Sequence, residues 1–161
     1  MSVLYYFASD NVLEEKDNPY IECLSIRQAR ERGLEMNSNL LEGVDEDEPE
    51  VILFCSDERK WDYPSFNHLM QEDYWDEIGT TKKYCMKMTG KYCDDTKHII
   101  FEYIQSQMQN MNEMEIWNIW LGDDINRVKR KNCFLGELSM EMLDDIFNRR
   151  KNVCLLVRSK R

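Results

Sequence analysis

The chain has 161 residues, 42% of them apolar and 32% charged, with a formal net charge of −10. That length predicts one domain spanning residues 1–161, and that apolar fraction fills a core without help from metals or disulfides. Thirty-one acids against 21 bases repel phosphate backbones and anionic lipid headgroups. This argues against nucleic acid and membrane as partners and favours a basic protein.

None of the six cysteines forms a Cys-x-x-Cys pair, and the first residues carry neither a basic n-region nor a long apolar run. No stretch approaches the length of a membrane span. The expected compartment is the cytoplasm.

In chain order, the aromatic run Val3–Ala8 predicts a first strand. Ser25 opens a capping box that Gln28 can close, and Gly33 stands where a C′ residue ends a short helix. Six acids between Glu42 and Glu50, around one glycine and one proline, predict a solvated loop. Val51–Cys55 predicts a buried strand. The N-terminal strand, helix and strand are expected to extend the sheet or to cover one of its edges. Residues 56–82 show no clean period, so the acidic, irregular middle runs over 42–82.

From residue 83 the pattern is regular. Tyr84–Thr89 alternates as a strand, and Asp94, Asp95 and Thr96 offer N-caps to a helix with Ile100, Tyr103, Ile104 and Met108 on one face. Glu113–Leu121 predicts a strand that is apolar on both faces. After the turn at Gly122, Arg127–Phe134 is expected to return as its hairpin partner. Ser139 caps a helix carrying Leu143, Ile146 and Phe147, and Val153–Val157 predicts a strand buried on both sides. The order over 83–158 is β-α-β-β-α-β, that of a ferredoxin-like split βαβ unit. The fold class predicted is therefore α/β (α+β), a mixed sheet with helices mainly on one face.

Chemical motifs are sparse. No Gly-x-Gly-x-x-Gly or P-loop pattern occurs, and the acid block lacks the central glycine and closing glutamate of an EF-hand loop. His68, His98 and the cysteines lack zinc-site spacing, although a turn could gather Cys85, Cys93 and His98. Cys93 is the best nucleophile candidate, because a helix N-terminus lowers a thiol pKa. His98, five residues on, lies about 140° around such a helix, and Asp94 and Asp95 disfavour a thiolate. No catalytic residue, metal or cofactor is therefore expected.

The candidate partner-binding face is Asp57, Glu58, Trp61, Asp62, Tyr63, Asp73, Tyr74, Trp75 and Asp76. Aromatics give large contact area at small entropic cost, and carboxylates steer a basic partner. The competing reading is that these aromatics close the core of an irregular segment while the acids solvate its outside. The function expected is an acidic cytoplasmic protein-binding module. By composition it suits an immunity protein or inhibitor that neutralises a basic partner such as a toxin. The alternative is a small enzyme or small-molecule binder with a cleft near Cys93 and His98.

Overall fold

The computed structural model describes residues 3–36, 41–69, 78–122, 124 and 127–159. Its elements in chain order are β1 Val3–Ser9, β2 Ile21–Leu24, α1 Ile26–Glu31, β3 Ile52–Cys55, β4 Ser65–His68, β5 Tyr84–Thr89, α2 Lys97–Met108, β6 Glu113–Trp120, β7 Lys129–Phe134, α3 Met140–Phe147 and β8 Val153–Arg158. Contacts divide the chain into two compact units. The larger is Met1–Asp17 with Asp62–Arg161, and the smaller is Asn18–Trp61.

The larger unit is a six-stranded mixed sheet in the order β4-β5-β1-β6-β8-β7. All its pairings are antiparallel except β7 with β8. Strand β1 sits inside the sheet because Tyr6, Phe7 and Ala8 are apolar on both faces and wholly buried. One sheet face packs on α2 and α3: Phe7, Met86, Ile116 and Leu155 meet Ile100 and Ile104 of α2 and Leu143 and Ile146 of α3 in one cluster. The opposite face carries a second cluster of Tyr6, Cys85, Trp117, Ile119 and Cys154, with Ile78, and Leu69 and Val128 packed against it.

Aromatic geometry ties β4 into the first cluster. Phe66 stacks on Tyr103 at 3.7 Å and meets Phe7 edge-on at 5.4 Å. Gly90, at φ +92°, ends β5 where an added Cβ would lie 2.8 Å from the carbonyl oxygens of Asp62 and Tyr63. Only glycine fits there. Asn118, buried in β6, donates its amide to the carbonyls of Ile146 and Arg149 and so satisfies the C-terminal end of α3. Lys82 donates to Asp10 at 2.7 Å and to Glu113, linking the ends of β1, β5 and β6.

The smaller unit pairs β2 with β3 antiparallel and sets Cys23 opposite Leu53. Helix α1 begins as its sequence predicts. Ser25 accepts from the Gln28 backbone, the Gln28 side chain accepts from Ser25 N–H, and Gly33 follows the helix at φ +71°. Leu24, Ile26, Ala29 and Cys55 are the buried apolar side chains of this unit among the described residues.

Four sequence expectations are corrected. Strand β7 does not form a hairpin with β6; it pairs in parallel with β8. Both edges of β6 are already taken by β1 and β8, and β7 (Lys-Arg-Lys-Asn-Cys-Phe) is too polar to sit inside. A lysine-bearing strand at a sheet edge also resists edge-to-edge pairing. The ferredoxin-like order does not form either, because β1 occupies the place between the parallel strands β5 and β6. For the same reason the N-terminal strand joins the sheet in its interior and not at an edge, while β3 stays outside it. Finally, β3 is not a buried strand. It pairs with β2 in a two-stranded ribbon, and Leu53 is 61% exposed.

Candidate functional site

Within the smaller unit, α1 organises the acid block. Arg27 donates its backbone N–H to the Glu46 carbonyl and pairs with Asp47 at 2.6 Å, while Arg30 pairs with Glu46. Residues 42–50 therefore form a loop, as their composition predicts, but one pinned to a helix by two arginines one turn apart. Arg32 pairs with Glu22 at 2.8 Å and lies over the Phe54 ring.

The candidate residues Asp57, Glu58 and Trp61 follow β3. Asp57 caps the short 3-10 turn Glu58–Lys60, accepting from the Arg59 backbone and pairing with its guanidinium at 3.0 Å. The hydrogen bond from the Arg59 side chain, with that from its backbone, holds the Asp57 carboxyl below the usual carboxylate range. Glu58 is exposed, and Trp61 keeps 44% of its surface in water. Lys60 lies 5.8 Å from the centre of the Tyr20 ring.

All five bases of this unit are thereby engaged: Arg27, Arg30, Arg32 and Arg59 in ion pairs, Lys60 over an aromatic face. Against them stand eleven acids. Glu31, Glu35, Glu42, Asp45, Glu48, Glu50 and Glu58 have no ion-pair partner among the described residues. This negative charge is not balanced from within.

The other predicted residues belong to the larger unit. Asp62 is exposed, its carbonyl accepting from Lys91 N–H at 3.0 Å, and Tyr63 is half-buried. Asp73, Tyr74, Trp75 and Asp76 lie outside the described residues. The nearby Phe66, which shares their aromatic and acidic surroundings, is fully buried. The stretch thus divides: Phe66 is core and Trp61 is surface.

Cys85, Cys93 and His98 do not form a group that could hold a metal ion among the described residues. Cys93 lies in the turn before α2, which starts at Lys97, and its Sγ is 3.4 Å from Thr96 Oγ1. His98 is exposed on the first turn of α2. Cys85 is buried on the opposite sheet face, where burial and then the Glu115 charge push its thiol up to about 12. Cys154 is raised to about 12 by the same two causes. Such thiols stay protonated and inert near neutrality. Among the described residues no group of three or more His, Cys, Asp or Glu could hold a metal ion, and no helix is long and apolar enough to cross a membrane.

Two features escaped the sequence reading. The exposed Cys23/Leu53 pair escaped because β2 shows no alternation. The pairing of α1 with the acid block left a usable signal: Arg27 and Arg30 stand three apart on one helix face. No protein-family model, no curated protein and no solved structure matches the chain.

Proposed function

We propose that the protein is an acidic protein-binding module that captures a basic protein partner. The observation that carries this reading is the uncompensated charge of the smaller unit. Its cations are all engaged internally, while seven carboxylates, and the apolar surfaces of Trp61 and Leu53, face solvent. Fixed carboxylates steer an oppositely charged partner, and an exposed aromatic supplies the contact that holds it. Stoichiometric inhibition of a basic toxin, the task of an immunity protein, suits this division of labour.

The test is capture with the full chain as bait, followed by association kinetics against the purified partner over a range of salt. The expected result is one stoichiometric basic protein whose on-rate falls as ionic strength rises. The Glu42→Gln/Glu48→Gln/Glu50→Gln variant should lower the on-rate, and Trp61→Ala should mainly speed dissociation. A partner without excess positive charge, or an on-rate indifferent to salt and to the triple variant, overturns the proposal.

A further inference from the structure

Helix α2 and the segment after β1 enclose a cleft of about 350 Å³. Glu14 and Glu15 line one wall, Glu102, Tyr103, Ser106 and Gln107 the other, and Lys16 is its single base. A second cavity of about 160 Å³ shares Glu14, Ser106 and Gln107 and reaches Val12 and Asn110. Together they form one groove along α2. From Glu102 to Met108, the last residue of α2, it runs about 9 Å at 1.5 Å of helix rise per residue, and Asn110 lies in the turn beyond. That is the span of about three residues of extended chain.

The walls are fixed to each other by buried groups. Tyr103 O–H donates to the Glu14 carbonyl at 2.9 Å, and Glu14 N–H donates to Gln107 Oε1 at 2.9 Å. Tyr103 and Gln107 are both more than nine-tenths buried. The groove is therefore formed before any ligand arrives, which removes an ordering cost from binding. Gln107 lines both cavities, and its amide nitrogen has no acceptor among the described residues, so it offers N–H donors to a visiting carbonyl. Glu14, Glu15 and Glu102 have no cationic partner among the described residues. Val12, 62% exposed, adds an apolar contact at the far end.

We infer that this groove binds an extended, basic segment of a protein partner, which places arginine or lysine between Glu14, Glu15 and Glu102, a backbone carbonyl at Gln107 and an apolar side chain against Val12. The inference rests on the reading of the chain as a module for a basic partner. It adds a specific seat for a peptide to the diffuse charge of the smaller unit.

The probe is a blocked eight-residue peptide with two adjacent arginines and a leucine three positions on, titrated into the ¹⁵N-labelled full chain. Saturable amide shifts are expected at Glu14, Glu15 and Glu102–Gln107. Ser106→Trp fills the groove without changing charge or core, since Ser106 is exposed, and should weaken binding about tenfold or more. Glu14→Gln/Glu102→Gln should weaken it comparably, while Glu42→Gln/Glu48→Gln/Glu50→Gln should stay within about twofold. Retained circular dichroism shows that each variant is folded. Shifts confined to Glu42–Glu50, with Ser106→Trp binding like wild type, overturn the groove and leave the broader reading standing. No saturable shift at any residue also overturns the groove, and the salt-dependent capture then judges the broader reading alone.

Discussion

The two units use the same amino acids to different ends. In the larger, part of the charge is structural: Lys82 is buried between Asp10 and Glu113, Lys131 and Arg149 share Asp145, and Arg130 lies over Trp117. In the smaller, a two-stranded ribbon and one short helix bury little, and most of the carboxylates point into water. Within this unit the capping box of α1 and the pairs of Arg27 with Asp47 and Arg30 with Glu46 tie the helix to the acid block. The larger unit holds both buried apolar clusters, while in the smaller seven of eleven carboxylates have no ion-pair partner among the described residues.

That contrast can be broken by mutation. The largest loss is expected from Phe66→Ala, which removes a fully buried ring stacked on Tyr103; about 3–5 kcal/mol should appear in urea unfolding. A loss below 1 kcal/mol would show that β4 is not part of the main core. Gly90→Ala should cost about 1–3 kcal/mol, because it forces a Cβ against backbone carbonyls at positive φ. Its melting temperature measures this directly, and an unchanged value would mean that the 62–63 backbone moves away freely.

Lys82→Met should cost about 1–2 kcal/mol, less than for a fully buried pair because Asp10 is largely exposed and can be rehydrated. The effect has a pH signature. The hydrogen bond from Lys82 is the main cause holding Asp10 and Glu113 below the ordinary carboxylate range. Their contribution is therefore present above about pH 4 and is lost as pH falls through the lowered values. Lys82 itself is opposed by burial, but its two carboxylate partners outweigh that and raise it, so its contribution persists until strongly alkaline pH. The stability gap between wild type and Lys82→Met should be flat from about pH 5 to 9 and should close in acid. A gap that widens in acid would refute the assignment. The smallest effect belongs to the smaller unit: Ser25→Ala should cost about 1 kcal/mol, read as faster proteolysis within Asn18–Trp61 and little change in the main unfolding transition. If the main transition shifts equally, the two units unfold together.

What was legible in the sequence was local. Ser25, Gln28 and Gly33 announce α1 because caps act over three or four residues, and Tyr84–Thr89 and Ile100–Met108 show their periods over a sufficient length. The short strands were not legible: β4 carries one buried apolar residue, Phe66, and β2 has two exposed residues in four. The partner of β7 was beyond local reading as well. It depends on which strands claim the edges of β6, a competition decided by segments more than a hundred residues apart. For the same reason sequence alone could not sort Trp61 to the surface and Phe66 to the interior. Both are aromatics among acids, and only the strand pairing that engages Phe66 separates them.

The place of β1 also bears on the order of events in folding. It is first along the chain and third across the sheet, and Tyr5 faces Met88 and Asn118, 83 and 113 residues away. The pair β4-β5 and the trio β6-β8-β7 have no ladder to each other except through it. The two half-sheets therefore lack a common backbone network until one seven-residue strand slots between them. Closing loops of that length is expected to slow this step. A synthetic β1 peptide added to a chain lacking it would turn that step into a bimolecular reaction whose rate can be measured.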